Sequence, residues 1–246
     1  MDAITSWDDY YIPGTRILSN LVGATTQADL DRHEWPITHT RIAELMAADP
    51  SPITYDYKGF RAVHRHIFQD IYSWAGQPRT TPTGQMTKRH ADVVHFDPKD
   101  PAAPEVTYGY YPGPYVAAGA TQRFAQLAAD DHLCGLDRDQ FIPKLADHWA
   151  ELNTVHPFRE GNTRTQIVFF AALAKDAGHP LRASELLSLG ARRDAFVAAR
   201  FHAQATANSE RLAHVLDTLI AKPAARHRSH TPPHRQRQQG EDGLSL

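Results

Sequence analysis

The chain of 246 residues has one cysteine, Cys134. That excludes an internal disulfide and any cysteine-rich zinc module, and it suits a reducing compartment. Cys134 itself is expected to be a small buried apolar residue. Charge of one sign is also missing: the formal net charge is -2. With no global pull toward nucleic acid or an anionic membrane, direct nucleic-acid binding is not expected, and any polyanion must be held locally. No long hydrophobic run occurs. The longest, Ile167 to Ala174, is far too short to span a bilayer. The amino terminus, MDAITSWDDYYIPG, carries acids where a signal peptide would carry basic residues, so a cytoplasmic protein without membrane contact is expected. Absent as well are the GxxxxGK[ST] loop of P-loop nucleotidases, the HExxH of zinc hydrolases and the GxSxG elbow.

What is present is a hydrophobic fraction of 41%, enough for a core, distributed mainly at helical spacing. FRAVHRHIFQDIYSWAG places Phe60, Val63, Ile67, Ile71 and Trp74 on one helical face, and QFIPKLADHWAELN does the same with Phe141, Leu145, Trp149 and Leu152. TQIVFFAALAKDAGHP is apolar nearly all round and stops at Gly178 before Pro180, the pattern of a buried central helix. Further helices are expected around Ser188 to Ala205 and from a cap at Asn208 or Ser209 through Leu219. Between Gly76 and Ala120 seven prolines interrupt the pattern, so a long irregular excursion of the lid or binding-loop kind is expected there. From residue 223 the composition turns to Pro, His, Arg and Gln with few apolar residues, and a disordered tail over 223–246 is expected.

Chemistry concentrates in HPFREGNTR, His156 to Arg164. The stretch lies between an amphipathic segment and an apolar one, at a helix amino terminus. There unpaired N–H groups and the dipole attract phosphate. Gly161 lets backbone approach closely, Asn162 offers an amide, and Arg164 offers a planar fork matched to phosphate oxygens. Glu160 makes sense in an anion site if magnesium bridges it to those oxygens. His156, with a pKa near working pH, is the group to take a proton from a hydroxyl. Taken together these residues read as phosphoryl or nucleotidyl transfer to a hydroxyl; taken singly, each also fits an ordinary helix start. His64, His66, His90 and His95 show no ligand spacing and are expected as solvent-facing or capping residues. The basic Thr87–His90 stretch is expected as solvated loop charge.

This ordered run resembles the HPFx(D/E)GN(G/K)R motif of Fic-domain proteins (the Fic/Doc family). YYIPGTRILSNL and IFQDIYSWAGQPRT extend the likeness over roughly Tyr10 to Leu219. The resemblance implies an all-α, Fic-type helical bundle whose motif loop precedes the central buried helix, with a small β-hairpin flap within 76–120. It divides the chain into an extension at 1–9, a Fic domain at 10–222 and the tail. The implied activity is a toxin-like adenylyl transfer from ATP to a Ser, Thr or Tyr hydroxyl of a target protein. By the same resemblance His156 is the base, Glu160 holds Mg2+, and Gly161, Asn162 and Arg164 bind phosphates; Arg159 and Thr163, at variable positions, are placed beside them by charge and by a small hydroxyl. Type II topoisomerases are one target class of such toxins, and a separate small antitoxin is the implied regulator.

Two departures stand out. Thr163 replaces the usual Gly or Lys, and Ile167 stands where many members carry a second arginine. The second departure leaves open another donor, UTP or a CDP-linked nucleotide; a nucleotide-binding or interaction module that keeps the loop without turnover is a separate alternative, against which the retained His156 and Glu160 argue. An arginine placed at 167 is expected on this reading to strengthen ATP binding. Thr206 to Glu210 gives part of the family's (S/T)xxxE(G/N) inhibitory signature, but Arg211 follows and the stretch reads as a helix start.

Overall fold

The computed structural model describes residues 4–221, so the tail expected over 223–246 lies outside the described residues. Among the described residues the fold is helical: α1 Gln27–Ala47, α2 Tyr57–Phe68, α3 Gly113–Ala129, α4 Arg138–Val155, α5 Asn162–Asp176, α6 Ser184–Leu187, α7 Ala191–Thr206 and α8 Glu210–Leu219. Two strands, β1 Met86–Ala91 and β2 Glu105–Tyr110, form one antiparallel hairpin with Met86 opposite Tyr110 and Ala91 opposite Glu105. None of these helices is long and apolar enough to cross a membrane.

α5 is the central helix. Its apolar run from Ile167 to Ala174 is buried on every side, and α1, α2, α4 and α6 pack around it. Trp149 of α4 stacks on Phe170 at 4.6 Å and donates its indole N–H to the Gln166 side-chain oxygen, so its own polar group is satisfied in the core. At full burial each such aromatic contributes roughly 1.5 to 3 kcal/mol. Residues 4–9 join this body, because Ile4 and Trp7 pack against the same core.

Several elements differ from the sequence reading. α2 ends at Phe68, and Ile71 and Trp74 reach the core from the turns that follow it rather than from one continuous helical face. α1 had no counterpart in that reading, since Leu30, Thr38, Ile42 and Leu45 are its only buried residues and Pro36 interrupts it; Thr26 starts it by accepting the Asp29 N–H. The irregular segment ends earlier than expected, at Pro112, because Pro114 sits in the first turn of α3, where a missing N–H costs nothing. Cys134 is exposed, not buried: it follows the left-handed residues Asp131 to Leu133 in the turn before α4.

The hairpin lies over the carboxyl end of α4. Tyr111 N–H donates to the Thr154 carbonyl at 3.2 Å, and Gln204 of α7 donates to the Gly109 carbonyl at 2.7 Å. These two bonds tie the end of the hairpin to the last turn of α4 and to α7.

Candidate active site

α4 stops at His156, which takes a left-handed conformation (φ 48°, ψ 67°). For a residue with a Cβ this costs roughly 1 to 2 kcal/mol. Arg79 offsets it: its guanidinium donates to the carbonyls of His156 (2.8 Å), Val155 (3.2 Å) and Tyr111 (2.6 Å), and its own N–H donates to the Pro157 carbonyl. A buried cation thus caps the last carbonyls of α4, where the helix dipole is negative. Nothing in the sequence singled out Arg79.

The loop that follows is closed on itself. Asn162 accepts the Phe158 N–H at 2.9 Å and donates to the Phe158 carbonyl at 2.7 Å, so both ends of its side-chain amide hold the loop. Phe158 is fully buried and stacks on His64 at 3.8 Å. His64, expected at the surface or in a cap, is instead wholly buried beneath the loop. Its Nδ1 accepts the Gly76 N–H at 2.8 Å, so its Nε2 carries the proton and donates to the Glu160 carbonyl at 3.0 Å. Burial pushes the His64 pKa down to about 3, which keeps the ring neutral.

Gly161 turns the chain into α5 at φ 81°, and a Cβ there would stand 2.3 Å from the Phe68 ring. Glycine is required on both counts. Beyond it the N–H groups of Asn162, Thr163 and Arg164 have no intramolecular acceptor among the described residues and point out of the amino end of α5. Such a helix end has the geometry to hold an anion, in line with the loop-then-helix order of the sequence.

The motif side chains gather on two sides of this helix end. His156 is 1% exposed, with neither ring nitrogen hydrogen-bonded, and the Tyr110 ring of β2 lies 4.1 Å from it. Burial, with the nearby charges of Lys88, Arg200 and Arg79, holds its pKa well below the usual histidine range, so the imidazole is neutral. On the other side, a cavity of ≈ 430 Å³ is lined by Arg159, Glu160, Arg164, Glu34, Tyr72 and Tyr11. Arg164 pairs with Glu34 of α1 at 2.5 Å and lies 3.9 Å from Glu160. Tyr72 donates its hydroxyl to the same Glu34. Arg159 lies over the Trp7 ring at 4.3 Å and donates to the Tyr11 hydroxyl at 2.7 Å. Thr163 accepts a hydrogen bond from Arg200 of α7 at 3.0 Å.

Glu160 accepts the Gly161 N–H at 2.9 Å, and its side chain remains 40% exposed toward the cavity. Burial alone would raise its pKa, but Lys88, that N–H, Arg164 and Arg159 outweigh it and hold the carboxyl below its ordinary value. Glu160 is therefore an ionised, accessible oxygen ligand. No group of three or more His, Cys, Asp or Glu side chains suited to a metal occurs among the described residues, so Glu160 fits an ion such as magnesium that takes its remaining ligands from water and phosphate.

Ile167 is fully buried in the main core. An arginine there would start from apolar surroundings, so any phosphate contact it made would come at the cost of burying its charge. Thr206 to Glu210 also falls where the helix-start reading put it: Glu210 begins α8, and its N–H is accepted by Asn208.

The family model for Fic/DOC matches residues 54–174, the segment from the start of α2 through the motif and most of α5. The probable protein adenylyltransferase y4lH of Sinorhizobium fredii is 36% identical over 180 residues, which is 73% of this chain and 81% of that relative. The protein adenylyltransferase VbhT of Bartonella schoenbuchensis is 33% identical over 70% of this chain, but that match spans only 32% of VbhT. Among solved structures, the BepC effector of Bartonella tribocorum, crystallised with bound AMPPNP, aligns with a TM-score of 0.70 at 21% identity, covering 88% of this chain and 98% of its own. The type IV secretion system effector BepA gives 0.71 at 24% identity over 89% and 70%. The chain belongs to the Fic/DOC family.

Proposed function

We infer that the chain is a protein adenylyltransferase that moves AMP from ATP to a Ser, Thr or Tyr hydroxyl of a target protein. The observation that carries this is a neutral, buried and unpartnered His156 beside three free N–H groups at the amino end of α5. A binding module has no use for a proton acceptor in that place.

In this reading the donor's phosphates lie on the N–H groups of Asn162, Thr163 and Arg164, with Arg159 and Arg164 lining the adjoining cavity. His156 takes the proton of the target hydroxyl as its oxygen attacks the α-phosphorus. The new O–P bond forms as the bond to the β-phosphate oxygen breaks, and pyrophosphate leaves. Mg2+, held by Glu160, would supply charge neutralisation on the phosphates. The low proton affinity of His156 is set partly by Lys88, Arg200 and Arg79. A bound polyphosphate offsets those positive charges, so the base strengthens when the donor is in place.

The hairpin supplies the target side. It is a two-stranded sheet among the described residues, so each strand has an outer edge on which an extended target segment can add, close to His156. Toxin-like action in the cytoplasm, a separate small antitoxin and a type II topoisomerase target belong to the same reading. Its support on regulation is that the TxxxE stretch of this chain is the junction of α7 and α8 rather than an inhibitory helix. A different donor, UTP or a CDP-linked nucleotide, is the second reading, favoured by the buried Ile167, which leaves no cation at that position.

The test is incubation with cell lysate, Mg2+ and ATP labelled at either the α- or the γ-phosphorus. Protein labelled from the α position alone is the expected result. Label from the γ position would mean phosphorylation and overturn the reading; label from UTP alone would favour the second donor.

A further inference from the structure

On the hairpin, inward and outward positions alternate. Arg89 faces out and pairs with Glu105 at 3.0 Å, the ordinary use of a strand cation. Its neighbour Lys88 lies on the opposite face, between Met86 and His90 and across from Tyr108. Met86, Tyr108 and Tyr110 on that face are all buried, and the Tyr110 ring rests against His156. Lys88 is half-buried there and has no hydrogen bond or ion pair among the described residues. Far from being solvated loop charge, it faces the motif. The charges within its reach are Glu160, Arg200, Arg159 and Arg79.

Arg200 approaches the same place from α7. It is 6% exposed, and its guanidinium donates to the Asn153 side-chain oxygen and the Thr163 hydroxyl, with no carboxylate among its partners. Two cations, one half-buried and one nearly enclosed, thus flank the amino end of a helix that is itself the positive end of a dipole. Burying unneutralised positive charge is costly, and water alone is a poor remedy in so enclosed a place. The arrangement calls for an anion, and Lys88, the less buried of the two cations, has no protein carboxylate paired with it among the described residues.

We propose that Lys88 of the hairpin, with Arg200 of α7, forms a second cationic wall that holds the donor's polyphosphate against the amino end of α5 from the hairpin side of His156. This rests on the adenylyl-transfer reading, and it adds a donor contact to an element otherwise assigned to the target. The hairpin then senses the donor. With a polyphosphate bound, Lys88 is neutralised and β1 is drawn onto the loop; without one, its charge has only Glu160 to answer it.

The test uses the full chain with Lys88→Met and Lys88→Arg, measuring affinity for ATP and for adenosine. Lys88→Met is expected to weaken ATP binding at least tenfold and leave adenosine binding unchanged, with Lys88→Arg recovering most of the loss. Unchanged adenosine binding in the variant also shows an intact fold. If wild type binds ATP well and Lys88→Met binds it equally well, the subsite is overturned while the transfer reading stands. Wild type that binds ATP no more tightly than adenosine overturns both.

Discussion

Lowering the pH below neutrality acts on a histidine that the reaction does not use. His64 is wholly buried beneath the motif loop, with its ring held at about pKa 3, whereas in the unfolded chain it titrates near 6.5. Between those values the unfolded chain binds a proton that the folded chain does not, so stability falls as pH falls. The slope approaches about 1.4 kcal/mol per pH unit below pH 6.5, and the loss between pH 7.5 and 4.5 is about 2.7 kcal/mol. Replacing His64 by Phe removes this liability but strands the Gly76 N–H and the Glu160 carbonyl, each costing about 1 to 3 kcal/mol. His64→Phe should therefore be less stable than wild type at pH 7.5, with its deficit shrinking by about 2.7 kcal/mol by pH 4.5. Urea unfolding of both proteins across this range measures the difference, in which the titration of His156 and the carboxylates cancels. A deficit that stays constant with pH would refute a neutral, buried His64.

Gly161→Ala combines a left-handed φ with a Cβ 2.3 Å from the Phe68 ring, and should cost roughly 2 to 4 kcal/mol in thermal unfolding and abolish transfer; wild-type melting and activity would contradict the loop geometry. Ile167→Arg should destabilise by roughly 3 to 5 kcal/mol, because it buries an uncompensated charge. A fully stable variant with raised ATP affinity would instead show that the helix turn opens toward a terminal phosphate.

The motif and the central helix were legible because both are local. An apolar run flanked by Gly178 and Pro180 can only be buried, and a loop of His, Glu, Gly, Asn and Arg before it marks a helix end that meets an anion. What escaped was what the fold brings from afar. Arg79, Glu34 and Arg200 reach the motif from 77, 130 and 37 residues away, and no spacing in the sequence connects them to it. His64 looked like a surface residue because its ligands are two backbone groups. Lys88 carried a readable signal in the alternation of Met86, Lys88 and His90, but the many prolines around it hid that strand pattern, and the hairpin was expected only through the family resemblance. α1 was missed because a helix covering one edge of a core needs only four buried positions.

The most direct measurement compares wild type and His156→Ala in label transfer from α-labelled ATP, with nucleotide binding measured on the same samples. A general base acts in the transition state, so the variant should lose transfer while keeping its affinity for ATP. Transfer at the wild-type rate by His156→Ala would contradict the account, since the other neutral imidazole beside the motif loop, His64, is wholly buried and its unprotonated nitrogen already accepts the Gly76 N–H.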